Sequence, residues 1–116
     1  MSVDMPVKPV EWMVQQGLFD SPERAILELA QNYVLEQIQR FQGIIAELEA
    51  KYGMSYQQFS RYLAQRADLL ESGTLSPEQA QSLGRAVMDE EEDALEWKIA
   101  REMLQSWLGL RYEVNR

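Results

Sequence analysis

The chain predicts an all-α protein, a small helical bundle of about four helices built around one long central helix. Three observations lead there. Apolar residues recur at three- and four-residue spacings along most of the length. Serine, proline and glycine fall where helices start and stop. The alternation expected of a strand is confined to the first ten residues, at Val3, Met5 and Val7.

Taken in order, the N-terminus fits either a short strand or an extended arm, and Pro6 limits any strand. Pro9 suits a first helical turn and Gly17 a stop, so a short helix is expected between Lys8 and Phe19, with Trp12, Met13 and Gln16 on one face. Ser21 as N-cap, Pro22 at the first helical position and Glu23 in the first turn then open a helix over 22–52. Along it Val34, Ile38, Phe41, Ile45, Leu48 and Tyr52 form a seam of period 3.5, with Ile26, Leu29 and Ile44 alongside. At ~1.5 Å per residue this helix is about 46 Å long. Gly43 inside it costs roughly 1 kcal/mol relative to alanine, and a close helix crossing is the expected compensation.

Gly53 ends that helix. Ser55 with Gln58 forms a capping box, and Met54 with Phe59 a hydrophobic staple, so a helix over 56–71 is expected, carrying Phe59, Tyr62, Leu63, Arg66 and Leu70. Ser72 and Gly73 stop it, and Ser76, Pro77 and Gln79 start the last helix, over 77–110. Its apolar stripe is interrupted at Asp89–Asp93, which predicts a helix that is continuous or kinked there. Beyond the acids, Leu95, Ile99, Met103 and Trp107 recur every four residues and read as the buried face. The whole chain, 1–116, reads as one domain, with 1–20 as arm and short helix.

Composition excludes much chemistry. With no cysteine and no histidine among its 116 residues, the usual zinc, iron–sulfur and haem ligands, thiol nucleophiles and histidine-based triads are absent. No apolar run approaches the roughly 20 residues that span a bilayer, and MSVDMPVKPV has no signal-peptide character, so a cytoplasmic protein is expected. The net charge of −8 disfavours a phosphate-directed grip on nucleic acid, and half of it falls on residues 74–116.

That acidic half carries the candidate site. Asp89, Glu92, Asp93 and Glu96, at i, i+3, i+4 and i+7, project from one face, a pattern that suits magnesium. Glu90-x-x-Asp93 matches half of the paired-carboxylate site of all-α nucleotide pyrophosphatases. The other half has no counterpart, because Glu36, Glu47 and Glu49 stand at other spacings, so no metal, cofactor or catalytic residue is assigned. Ser21, Ser55 and Ser76 read as caps. Trp97 lies off the Leu95–Ile99–Met103 stripe between Glu96 and Lys98 and reads as a partner-facing anchor. The expected partner-binding set is therefore Asp89, Glu90, Glu92, Asp93, Glu96 and Trp97, facing a basic protein.

Gly17-Leu18-Phe19-Asp20-Ser21, followed by Ala25-Ile26 and Leu29-Ala30, resembles the turn and second helix of small ribbon-helix-helix antitoxins over about 25 residues. The stretch KYGMSYQQF and the acidic run ending ALEWKI are similar to segments of small bacterial antitoxin-like proteins encoded beside toxin genes. The resemblance implies an N-terminal dimerisation element and a C-terminal region that wraps and blocks a toxin. Its ribbon strand would be Ser2–Val7, where Pro6 and Asp4 stand and no basic residue precedes Lys8, so base readout is not expected. The expected function is a non-enzymatic, antitoxin-like protein–protein interaction: a homodimer joined through the long helix, binding a basic partner through its acidic C-terminal helix. Two alternatives stand beside it, a helical metal-dependent nucleotide hydrolase and a structural adaptor homo-oligomer.

Overall fold

The computed structural model describes residues 8–115, and the expected strand or arm at Ser2–Val7 lies outside them. The described residues are all-α, with four helices and no strand: α1 (Lys8–Gln15), α2 (Pro22–Tyr52), α3 (Tyr56–Glu71) and α4 (Pro77–Val114). None of these helices is long and apolar enough to cross a membrane.

The boundaries follow from local chemistry. Ser21 Oγ accepts the Arg24 backbone N–H at 3.1 Å, filling one of the four donors a helix start leaves open. At α3 the Ser55 N–H donates to Gln58 Oε1 at 2.9 Å while the Gln58 N–H donates to Ser55 Oγ at 3.2 Å, a complete capping box. Ser76 and Gln79 repeat it at the start of α4, both bonds at 3.1 Å. Between α2 and α3 the chain reverses at Gly53, whose φ of 62° lies in the left-handed region that a Cβ disfavours. α4 runs unbroken through Asp89–Asp93.

The chain divides into two compact units, Arg40–Gln105 and, separately, Met1–Gln39 with Ser106–Arg116. The Arg40–Gln105 unit has an aromatic core. Leu48, Phe59 and Trp97 form its buried cluster, and Ile44, Ile45, Tyr52, Met54, Tyr62 and Leu63 are among the half-buried residues packed on it. Trp97 sits 5.5 Å from Phe59 and 5.7 Å from Tyr56, ring centre to ring centre, and the Tyr52 ring lies tilted against Phe59 at 4.2 Å. Such ring pairs add roughly 0.5–1.5 kcal/mol each beyond the area they bury. In the other unit Ala25, Val34 and Ile38 are buried, Tyr33 meets Trp107 edge-on at 5.8 Å, and Gln31 Nε2 donates to the Val114 carbonyl at 3.2 Å.

The structure differs from the sequence expectations at four points. Trp97 is 1% exposed and belongs to the core, whereas Leu95, Ile99 and Met103 lie on the surface. Both errors have one cause. A four-residue step advances about 400° around a helix, so such a stripe slides about 40° per step, while the face that packs follows Trp97, Ala100 and Leu104 at spacings of three and four. Ile26 and Leu29, expected beside the α2 seam, are also exposed, although Val34, Ile38, Phe41 and Leu48 of that seam are buried. Finally, a Cβ built on Gly43 meets nothing within 4 Å, so no close crossing explains this glycine.

Candidate interaction surface

Within the Arg40–Gln105 unit, α4 has two apolar faces. The inner one carries Ala94, Trp97, Ala100 and Leu104, interleaved with Glu90, Asp93 and Arg101. The outer one carries Met88, Leu95, Ile99 and Met103, which lie about 180° from Trp97 at roughly 100° per residue, within about 60°. These four side chains are 65%, 58%, 47% and 37% exposed. They form an apolar stripe on a solvent-facing side of the helix. Glu92 and Glu96 stand on the same side, and Asp89, Glu92 and Glu96 are all exposed.

The acids of the expected partner-binding set therefore separate into two groups. Glu90 and Asp93 turn inward. Arg66 Nε donates to Glu90 Oε1 at 2.8 Å, and the Arg66 guanidinium also lies 4.9 Å from the centre of the Tyr62 ring. Lys51 Nζ donates to Asp93 Oδ2 at 2.7 Å, and the same oxygen accepts a hydrogen bond from the Tyr52 hydroxyl. These bonds hold the Asp93 carboxyl below the usual carboxylate range, the Lys51 bond first and the Tyr52 bond second. Burial, followed by the bond to Asp93, pushes the Tyr52 phenol well up. Lys51 is raised in turn, chiefly by its hydrogen bond to Asp93. Glu90, Asp93 and Trp97 thus fasten α4 to α2 and α3, and the surface is left to Asp89, Glu92 and Glu96.

Comparison with known proteins finds no match for this chain: no family model, no curated protein and no solved structure.

The remaining features narrow the chemistry further. No group of three acidic side chains among the described residues is placed to hold a metal ion, so Asp89, Glu92, Asp93 and Glu96 do not assemble into a cation site. A groove of about 700 Å³ lies beside Trp97, lined by Ile45, Tyr56, Arg101 and Leu104 among others. Its basic residues, Lys98 and Arg101, are matched by Glu49 and Glu102, and the Arg101 guanidinium is already stacked 4.4 Å from the Tyr56 ring centre. This balance of charge favours neither an anion nor a cation. Sequence reasoning passed over Met88, Leu95, Ile99 and Met103 as surface residues because an apolar stripe alone does not say which side of a helix is covered.

Proposed function

We propose that the chain is a non-enzymatic, antitoxin-like interaction protein that binds a basic partner protein on the outer face of α4. One observation carries the reading: Met88, Leu95, Ile99 and Met103 stay exposed on the side of α4 opposite the Trp97 core. The helix has no free backbone donors or acceptors along its middle, so recognition there rests on side chains, and the matching element is an amphipathic segment with its own apolar stripe. Asp89, Glu92 and Glu96 set its sign. Lysines or arginines flanking the partner's apolar residues would meet them, speed encounter and exclude acidic competitors. In this reading Leu95 and Ile99 are the central anchors, and the resemblance to antitoxins makes a small basic toxin the class of partner.

The test is co-expression with the product of the reading frame adjacent to its gene, followed by purification and binding measurement. The expected result is a complex that loses affinity with Leu95→Glu and Ile99→Glu, while both variants keep full helicity. A complex indifferent to both substitutions, or no complex, would remove the outer face of α4 from the function.

A further inference from the structure

Two methionines bracket the outer face of α4. Met88 stands at its N-terminal end, 65% exposed, and Met103 at its C-terminal end, 37% exposed, with Leu95 and Ile99 between them. At ~1.5 Å per residue Met88 lies about 10 Å before Leu95 and Met103 about 6 Å beyond Ile99, so a partner helix of about four turns covers both thioethers along with the two anchors. The other methionines among the described residues are placed differently. Met13 is half-buried in α1, and Met54 is half-buried against the Leu48, Phe59 and Trp97 cluster. The exposed methionines of the described residues thus both lie on the one face proposed to bind. The chain has no cysteine, so methionine supplies all of its sulfur.

An exposed thioether on a contact surface is open to a covalent change that alters the surface and leaves the fold alone. With a peroxide, an electron pair of the sulfur attacks one peroxide oxygen, the S–O bond forms, the O–O bond breaks, and the other oxygen departs as water. The sulfur is oxidised to a sulfoxide, the peroxide is reduced, and the protein neither gains nor loses a proton. The sulfoxide is polar and accepts hydrogen bonds. On the free helix water satisfies it, whereas under a partner's apolar side chains it loses that water and covering it costs binding. The neighbouring Asp89 and Glu92 offer no replacement, because ionised carboxylates only accept hydrogen bonds.

We infer that Met88 and Met103 are regulatory oxidation sites: a peroxide converts them to sulfoxides and releases the partner from the outer face of α4, and reduction of the sulfoxides restores binding. The inference rests on the proposed function, since it needs a partner on that face. The test treats the free full chain with hydrogen peroxide, maps the oxidised residues by peptide mass spectrometry, and titrates the product of the adjacent reading frame by calorimetry. Met88 and Met103 gain oxygen ahead of Met54, while helicity and the urea midpoint stay unchanged. Affinity falls about tenfold or more, and methionine sulfoxide reductases restore it. The double variant Met88→Leu with Met103→Leu binds like the wild type and keeps its affinity after the same treatment, which assigns the loss to these two sulfurs. Oxidised wild type that binds unchanged overturns the inference, as does an equal loss in the double variant or oxidation of Met54 first. If untreated protein binds through Leu95 and Ile99 but oxidation changes nothing, the inference falls and the proposed function stands. If no complex forms, or the untreated complex is indifferent to Leu95→Glu and Ile99→Glu, both fall.

Discussion

Replacing Trp97 separates a core role from a partner-anchoring one. The indole is 1% exposed and touches Tyr52, Tyr56 and Phe59, with centroid distances of 6.5, 5.7 and 5.5 Å. Trp97→Ala removes that burial and leaves a cavity that three aromatic neighbours cannot collapse to fill, so the expected cost is about 3–5 kcal/mol. Against a domain stability on the order of 5–15 kcal/mol, such a loss is most of the margin. Trp97→Phe keeps a ring against Phe59 and should cost less. Leu95→Ala is the control. At 58% exposure it loses little burial and gains slightly in helix propensity, so its cost should stay within about 0.5 kcal/mol. Urea unfolding followed by far-ultraviolet circular dichroism measures all three without depending on tryptophan emission. Equal costs for Trp97→Ala and Leu95→Ala, or a reversed order, would refute the assignment of inner and outer faces.

Other perturbations test the supports of that core. Gly43→Ala places a methyl in open space within α2 and should stabilise by about 1 kcal/mol, read as a raised urea midpoint; destabilisation would mean that this position is crowded. Ser55→Ala removes one half of a capping box and should cost roughly 1 kcal/mol, whereas Ser55→Asp should largely retain the cap. The Asp93 contribution depends on pH with a definite sign. Its folded carboxyl titrates below the ordinary value of about 3.9, so its stabilisation is complete above that value and is lost as pH falls through the lower folded one. Asp93→Asn should therefore lower stability at neutral pH and flatten the acid limb of the stability curve; a parallel acid limb would contradict it. Tyr52 has the opposite sense. Its raised phenol stabilises below about pH 10 and loses that effect as pH climbs towards the folded value, so Tyr52→Phe should remove a strongly alkaline step from an absorbance titration.

The sequence carries the helical starts and the α2 seam openly, and α4 ambiguously. Ser55 with Gln58 and Ser76 with Gln79 bond as their spacing requires, because caps depend on a few adjacent residues. Val34, Ile38, Phe41 and Leu48 stand out because they keep the three- and four-residue spacings of one packed face over about four turns, which exposed Tyr33 and Leu35 do not. On α4 two stripes compete. The outer one is made of large apolar side chains, and the inner one hides behind Ala94, Ala100, Glu90, Asp93 and Arg101. Glu90 and Asp93 can face inward only because Arg66, Lys51 and Tyr52 meet them, and those partners lie 24 to 42 positions away in the chain. Periodicity has no access to such pairings. Of the expected partner-facing residues, Asp89, Glu92 and Glu96 remain at the surface, while Glu90, Asp93 and Trp97 are drawn into the Arg40–Gln105 unit.

α4 packs through its Trp97 face, and its Leu95–Ile99 face is the proposed binding surface. Titration calorimetry of the purified complex, comparing wild type with Leu95→Gln and Ile99→Gln, tests it most directly. Each substitution should weaken binding by at least about tenfold, or about 1.4 kcal/mol, with the unfolding midpoint of the free protein nearly unchanged. Unchanged affinity together with a large fall in stability would show that the Leu95–Ile99 side is core, and the claim would be wrong.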